Sequence, residues 1–404
     1  MSTKKQVVIV GGGYSGCYTA RALDRANSKQ TFEITIISPR DDFMLHKIGS
    51  LRAAVNGDEA WHNRVLVPTT SVFNKNRSGR FVQGLVVSVQ EDAKTVTLQD
   101  GQVFKWDVLF VASGSISTSP AENLLIHTRQ EQKQYFADFH RVLTQSKSVL
   151  IVGAGPVGIE LAGEIAATFG DKIQIQIVSK GEEILQTSPP LLPKGVQSVS
   201  ALLEKEHVAV LLGDELAQSL KAGEHWAATP GGIELKSGKK VDCDLVVLAA
   251  GVKVSTSFLP PSWLDAVTGE VEIDLQTFVL TKRKDVFAAG DAAKTNFTKL
   301  GYVAMGDAPV VAKNILAVLK GKEPTNKVKR AKTGMMIIPF GPSKGRILTP
   351  VMTLGNFAAS VAKSKDLFTA LPWTGLDAAK VPKPLNHGRT TAPPQHVQNP
   401  LTTL

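Results

Sequence analysis

Four β-branched residues run straight into a glycine cluster at Val7-Val8-Ile9-Val10-Gly11-Gly12-Gly13-Tyr14-Ser15-Gly16, and an alanine-bearing helical pattern follows over residues 18–26. That order reads as strand, tight turn, helix. In such a unit Gly11 permits the turn, Gly13 lets backbone approach a pyrophosphate, and Gly16 lets the helix lie close on the strand. The phosphates would sit over the helix N-terminus, where free N–H groups and the helix dipole favour an anion. One GxGxxG is a weak signal, because glycine-rich turns are common. Here a second copy exists: Ser148-Val149-Leu150-Ile151-Val152-Gly153-Ala154-Gly155-Pro156-Val157-Gly158. Gly153, Gly155 and Gly158 stand in the same three roles. The duplication predicts two dinucleotide sites in one chain.

A third feature is Asp285-Val286-Phe287-Ala288-Ala289-Gly290-Asp291-Ala292-Ala293, a short apolar strand that delivers one carboxylate to a glycine-flanked turn. Asp291 can bond a flavin ribitol or a pyrophosphate-linked water. By itself it reads equally well as the N-cap of the helical pattern at residues 304–319. After two glycine fingerprints the ligand role is the better reading. Glu160 falls in the first turns of the second fingerprint helix, close enough to meet a nicotinamide amide, although a carboxylate there also complements the helix dipole. The strand after each fingerprint often closes with an acid that binds ribose hydroxyls. In this chain those positions are Ser38 and Ser179-Lys180. Arg40 is expected against the adenine. No carboxylate repels a 2′-phosphate at Ser179-Lys180, and Lys180 attracts one, so NADPH is expected to be accepted at least as well as NADH.

These residues need a scaffold of parallel strands. Residues 32–37 and 173–178 read as the second strands of the two units. Trp106-Asp107-Val108-Leu109-Phe110-Val111-Ala112-Ser113-Gly114 and Leu245-Val246-Val247-Leu248-Ala249-Ala250-Gly251 read as buried parallel strands that end in small-residue turns. An antiparallel run covers residues 84–89 and 95–98, and residues 56–63 form a polar segment. The expected architecture is α/β, with two Rossmann-like dinucleotide-binding domains and a small C-terminal α+β domain. The FAD-binding domain takes residues 1–117 and 251–323, with the NAD(P)H-binding domain between them at 118–250. A basic C-terminal domain at 324–381 has strands near Met335-Met336-Ile337-Ile338-Pro339-Phe340-Gly341 and Pro350-Val351-Met352-Thr353-Leu354. Residues 382–404, rich in Pro, Gln, Asn and Thr without a period, read as a disordered tail.

Bulk properties narrow the function classes. The 404 residues are 43% hydrophobic and 20% charged, an ordinary globular composition. Two cysteines, Cys17 and Cys243, cannot build a disulfide framework, which favours a reducing compartment. No CxxC exists, and no His/Cys cluster has metal-ligand spacing, so no metal is expected. No signal peptide, transit peptide or transmembrane helix is read: a strand begins near residue 6, and the apolar stretch at 149–167 carries Glu160, Glu164 and four glycines. The expected location is cytoplasmic, with peripheral contact to a membrane or lipid droplet. From Lys320 onward there are 13 Lys and Arg against 3 Asp and Glu, an excess equal to the whole net charge of +10. Such a segment meets an anionic lipid surface, nucleic acid or acidic protein, or is simply a solvated basic face.

Two nucleotide sites with no thiol or metal chemistry between them suggest an electron relay, in which bound FAD accepts hydride from NAD(P)H. The sequence resembles two-dinucleotide-domain flavoproteins of the pyridine nucleotide–disulfide oxidoreductase class. Within that class it is similar to the apoptosis-inducing-factor-like, ferroptosis-suppressor family, relatives of type II NADH dehydrogenases. The likeness covers roughly residues 5–375. It rests on residues 7–16, Ser50-Leu51-Arg52-Ala53, Gln83-Gly84-Leu85-Val86-Val87, residues 153–160, residues 287–292 and Lys363-Ser364-Lys365-Asp366-Leu367-Phe368. The last is the most discriminating. The resemblance implies an FAD enzyme that oxidises NAD(P)H and reduces quinones of the ubiquinone or vitamin K kind. It places Gly11, Gly12, Gly13, Tyr14, Ser15, Arg52, Val86 and Asp291 at the FAD, Glu160 at the nicotinamide and Lys363 near the flavin. Read without it, Lys363 is one more surface charge in a basic run.

Departures from that pattern matter too. The family's myristoylation glycine is missing, because position 2 is Ser. The basic segment with its apolar residues 335–340 is expected to substitute as a membrane contact. Two competing readings stand beside quinone reduction: a reductase of a small electron-carrier protein docked by the basic segment, and a flavoprotein that binds nucleic acid under redox control. The last is disfavoured, since the basic residues are not interleaved with aromatics as stacking platforms would be.

Overall fold

The computed structural model describes residues 4–382 other than 124, 188–189, 222, 298, 330–334 and 379. Two five-stranded sheets repeat one plan. In the first, the strands lie in the order Val286–Ala288, Val108–Val111, Lys5–Val10, Phe32–Ser38, Gly79–Gln83, all parallel. In the second, the order is Ala209–Leu212, Gln174–Ser179, Ser148–Val152, Leu245–Leu248, Trp226–Ala228, with only the last strand antiparallel. Each fingerprint strand is central and buried on both faces, which is why it reads as a continuous apolar run. In both sheets the chain leaves the fingerprint strand toward one side and later returns on the other. The crevice at that reversal is where open α/β sheets bind ligands.

The two small-residue turns lead into Ser115–Ser117 and Val252–Val254, which pair antiparallel, so the two connections between the sheets run side by side. The antiparallel run is Val86–Gln90 against Thr95–Leu98 with Val103–Lys105 outside it. Among the described residues, several helices have no counterpart in the sequence reading. Helix Arg129–Gln145 opens with a full capping box from Thr128 and Glu131, and helix Pro193–Lys205 has proline in its first turn. Lys47–Asn56 is a third helix, which carries Arg52. Part of the polar segment is helix Glu59–Val65, where Asp58 accepts from the Ala60 N–H at 2.8 Å.

Helix Gly301–Leu319 is long and apolar enough to cross a membrane by composition. It lies instead against helix Tyr14–Ala26, with Ala308, Val311, Ala312 and Ile315 in the core beside the first sheet.

The C-terminal segment forms an antiparallel sheet, Met336–Phe340, Lys344–Leu348 and Thr353–Leu354. It shares its core with the second dinucleotide unit, because Met336, Ile338, Phe340 and Leu348 cluster with Ile159, Ala162 and Ile165. Gly163 allows this: a Cβ there would stand 2.5 Å from the Phe340 Cα. The expected apolar membrane contact at residues 335–340 is therefore corrected. Met336, Ile338 and Phe340 are 5%, 1% and 2% exposed, since that strand packs on helix Pro156–Phe169. Met335 at the start of that stretch stays 43% exposed, and Val351, Met352, Phe357 and Val361 also reach solvent. The tail expected over 382–404 lies outside the described residues from 383 onward.

Candidate active site

Both fingerprint turns have one geometry. Gly11 has φ +115° and Gly153 φ +121°, backbone that L side chains rarely adopt. A Cβ on Gly16 would stand 1.9 Å from the Gly11 carbonyl oxygen, and one on Gly158 1.9 Å from the Gly153 oxygen. These glycines make the helix sit down on the turn. The middle glycines differ in kind: a Cβ on Gly13 or Gly155 meets nothing within 4 Å. Each middle glycine is the N-cap of its helix, Tyr14–Ala26 or Pro156–Phe169, and neither helix has a side-chain cap. Uncapped N–H groups beside an open, side-chain-free surface fit a dinucleotide diphosphate. Each of the two turns fits a dinucleotide of the FAD or pyridine nucleotide kind.

Around the first turn, Gly290 approaches Ser15 so closely that a Cβ on it would lie 2.7 Å from the Ser15 Oγ. This brings Asp291 beside the fingerprint, where the Ser115 hydroxyl donates to Asp291 Oδ2 at 2.6 Å. Gly12 faces Ser38, whose Oγ would be 2.9 Å from a Gly12 Cβ. Val86 is buried at the start of its strand. Arg40, expected against the adenine, donates to Glu122 at 3.3 Å, and Lys47 pairs with the same buried carboxylate at 2.6 Å. Lys180 is exposed just beyond strand Gln174–Ser179, which borders the second fingerprint strand.

Tyr14 is tied into a buried relay that sequence reasoning missed. Its hydroxyl lies 2.7 Å from His46 Nδ1, and His46 Nε2 lies 2.8 Å from the Leu367 carbonyl. A carbonyl only accepts, so Nε2 carries the proton and Nδ1 accepts from the Tyr14 hydroxyl. Burial pushes the His46 pKa down to about 4, which keeps the ring neutral. Burial also pushes the Tyr14 phenol up, so it stays a donor.

The structure joins Glu160 and Lys363 directly. Lys363 Nζ is 2.9 Å from Glu160 Oε1 and donates to the Ile337 carbonyl at 3.0 Å. Their side chains are only 17% and 13% exposed. Glu160 projects from the first turns of helix Pro156–Phe169, and Lys363 from the π-helical turn Ser360–Ser364. Burial pushes the Glu160 carboxyl above its ordinary range, and the Lys363 ammonium pulls it back. The ammonium thus offsets part of what burial does to the Glu160 carboxyl.

Arg52, expected at the FAD, has most of its donors engaged by protein. Nε and Nη2 grip Glu164 at 2.8 and 2.7 Å, Nη2 also reaches the Ser364 carbonyl, and Nη1 the Lys365 carbonyl. Cys17 and Cys243 are buried in different cores, and burial pushes the Cys17 thiol up to about 12. Neither thiol is placed to relay electrons.

The profile of the pyridine nucleotide-disulphide oxidoreductase family matches residues 5–308, and the chain belongs to that family. It is an FAD-dependent oxidoreductase that uses a pyridine nucleotide. It is 30% identical to apoptosis-inducing factor homolog B of Dictyostelium discoideum over 386 residues, 91% of this chain and 95% of that protein. It is 25% identical to human ferroptosis suppressor protein 1 over 373 residues, 91% and 94% of the two chains. Among solved structures, the sulfide:quinone oxidoreductase of Aquifex aeolicus superposes with a TM-score of 0.72 at 17% identity, covering 92% of each chain.

Proposed function

We propose that the protein passes reducing equivalents from NAD(P)H through FAD to a quinone of the ubiquinone or vitamin K kind. The observation that carries this reading is the Lys363 ammonium. It has three N–H donors. Glu160 and the Ile337 carbonyl take two of them. Among the described residues the third has no acceptor, and it is offered to an oxygen on which negative charge develops, the arrangement that lowers a barrier by electrostatic stabilisation.

Bound FAD and NAD(P)H supply the hydride and electron transfer. The first fingerprint, with Asp291 and Val86 alongside it, holds the flavin nucleotide, and the second holds NAD(P)H. Lys180 favours a 2′-phosphate by charge. Glu160, whose charged form the Lys363 ammonium favours, would accept from an amide N–H of a bound nicotinamide. The low exposure of the pair excludes water, which strengthens each electrostatic contact. With no thiol pair in reach, the acceptor must be one that takes electrons from the flavin directly. The name of the Aquifex aeolicus sulfide:quinone oxidoreductase is consistent with a quinone in that place. A peripheral membrane contact through Val351, Met352, Phe357 and Val361, with the exposed Lys365 beside them in the chain, completes the proposal.

The test is anaerobic reduction of the purified holoprotein by NADH and by NADPH, followed by a panel of quinones. Bleaching of the flavin and its reoxidation by a short-chain quinone is the expected result. Reoxidation by a small iron–sulfur protein but by no quinone would replace the proposal with electron-carrier reduction.

A further inference from the structure

Two carboxylates one helical turn apart hold the Lys363 segment at two levels. Glu160 and Glu164 share a face of helix Pro156–Phe169 at the i, i+4 spacing. Glu160 takes the Lys363 ammonium. Glu164 takes the Arg52 guanidinium in a two-pronged pair, and both of those side chains are about nineteen-twentieths buried, at 4% and 5% exposure. The same guanidinium donates to the carbonyls of Ser364 at 2.7 Å and Lys365 at 3.0 Å, the two peptides directly after Lys363. One helix thus grips the lysine by its side chain and, through Arg52, by its backbone.

The gripped turn would not hold its shape unaided. Leu367 and Phe368 have φ of +51° and +56°, a left-handed conformation uncommon for bulky residues. Leu367 N–H closes onto the Lys363 carbonyl at 2.7 Å, and His46 holds the Leu367 carbonyl. Burying an arginine–glutamate pair brings a desolvation penalty, and well-packed apolar side chains often serve stability as well. What a guanidinium adds is direction. Its planar fork fixes two acceptors at set angles, which neither an apolar residue nor a lysine can do.

We propose that Arg52 and Glu164 are positioning residues for Lys363: the fork sets the carbonyls that follow the lysine, and so sets where its ammonium points. The inference rests on the reading of Lys363 given above for its catalytic consequence, but not for its mechanical one.

The experiment is a double-mutant cycle with an independent backbone readout. Arg52→Lys keeps the charge and removes the fork. It is expected to lower kcat with a short-chain quinone about tenfold, because small misplacement of a reacting group is expensive, while the KM for NAD(P)H holds within about twofold. Added to Lys363→Met, it should cost nothing further, since a residue that acts through the lysine has nothing left to position. The full loss repeated on top of Lys363→Met overturns the proposal. Should Arg52→Lys not fold, Glu164→Gln takes its place in the same cycle. Amide hydrogen exchange over residues 360–369 should quicken in either variant, and unchanged exchange there also overturns it. A wild-type protein that reduces no quinone would sink the quinone reading, and the exchange measurement would still decide the clamp.

Discussion

Lys363 Nζ and Glu160 Oε1 stand 2.9 Å apart although 203 positions separate them in the chain. Each depends on the other. The Lys363 ammonium holds down the pKa of a carboxyl that burial would otherwise raise further. Lys363→Met should therefore do two things. Quinone turnover should fall by about tenfold or more, on the scale of a lost electrostatic donor, with FAD retained. The pH profile for flavin reduction by NAD(P)H should also move to higher pH, because Glu160 now needs a higher pH to ionise. An unshifted profile in stopped-flow would mean that Glu160 takes no part in the nucleotide half-reaction.

The glycines predict a separation of folding from binding. Gly13 has φ −87° and open space where a Cβ would go. Gly13→Ala should fold normally and carry little flavin, because the methyl group stands where the diphosphate must lie. Gly16→Ala should fail differently, with poor folding, since its Cβ would meet the Gly11 carbonyl oxygen at 1.9 Å. Far-ultraviolet circular dichroism with the ratio of flavin to protein absorbance distinguishes them. Gly155→Ala should keep the flavin and raise the KM for NAD(P)H.

Lys180 should set the choice between the two nucleotides. A charge-assisted contact to a 2′-phosphate is worth about 1.5–3 kcal/mol, so Lys180→Ala should lower kcat/KM for NADPH by about tenfold or more, with little change for NADH. Equal effects on the two would remove Lys180 from nucleotide selection.

His46 makes stability depend on acid. Its folded pKa is about 4 against the ordinary 6.5. Between those values the unfolded chain binds the proton and the folded chain does not, so stability falls as pH drops through that window, by up to about 1.4 kcal/mol per pH unit. The groups that face the ring are Tyr14, the Leu367 carbonyl, Lys363 and Asp366. His46→Gln should flatten the loss in urea midpoint between about pH 6.5 and about pH 4. A variant whose midpoint falls as steeply as wild type would assign the acid sensitivity to other groups.

The exposed apolar side chains predict where a lipid surface is met. Phe357 and Val361 are 84% and 72% exposed and lie four residues apart along one helical stretch. Phe357→Ser with Val361→Ser should weaken co-sedimentation with anionic vesicles and leave turnover with a water-soluble quinone unchanged. Equal sedimentation of variant and wild type would argue against this face.

Local chemistry made much of the molecule readable from the sequence. A turn with φ near +120° and a helix seated on it admit only glycine, so both fingerprints, their strands and the small-residue turns that close each crevice were visible as patterns. The capping box at Thr128 and Glu131 was equally legible and went unread. The C-terminal strand shows the limit: composition suggested an apolar surface patch at residues 335–340, and Gly163 instead lets that strand bury itself on the second fingerprint helix.

Sequence alone determined that two dinucleotide turns exist, because the residues of each turn are neighbours in the chain and their steric demands are met within a few positions. Only the tertiary structure decided that Glu160 meets Lys363, that Glu164 meets Arg52, and that His46 links Tyr14 to Leu367. These partners come from separate elements, and a charge in sequence carries no mark of what it will face once water is removed. The two glutamates looked like reasons against a membrane helix. Burial beside a lysine and an arginine is what gives them their roles.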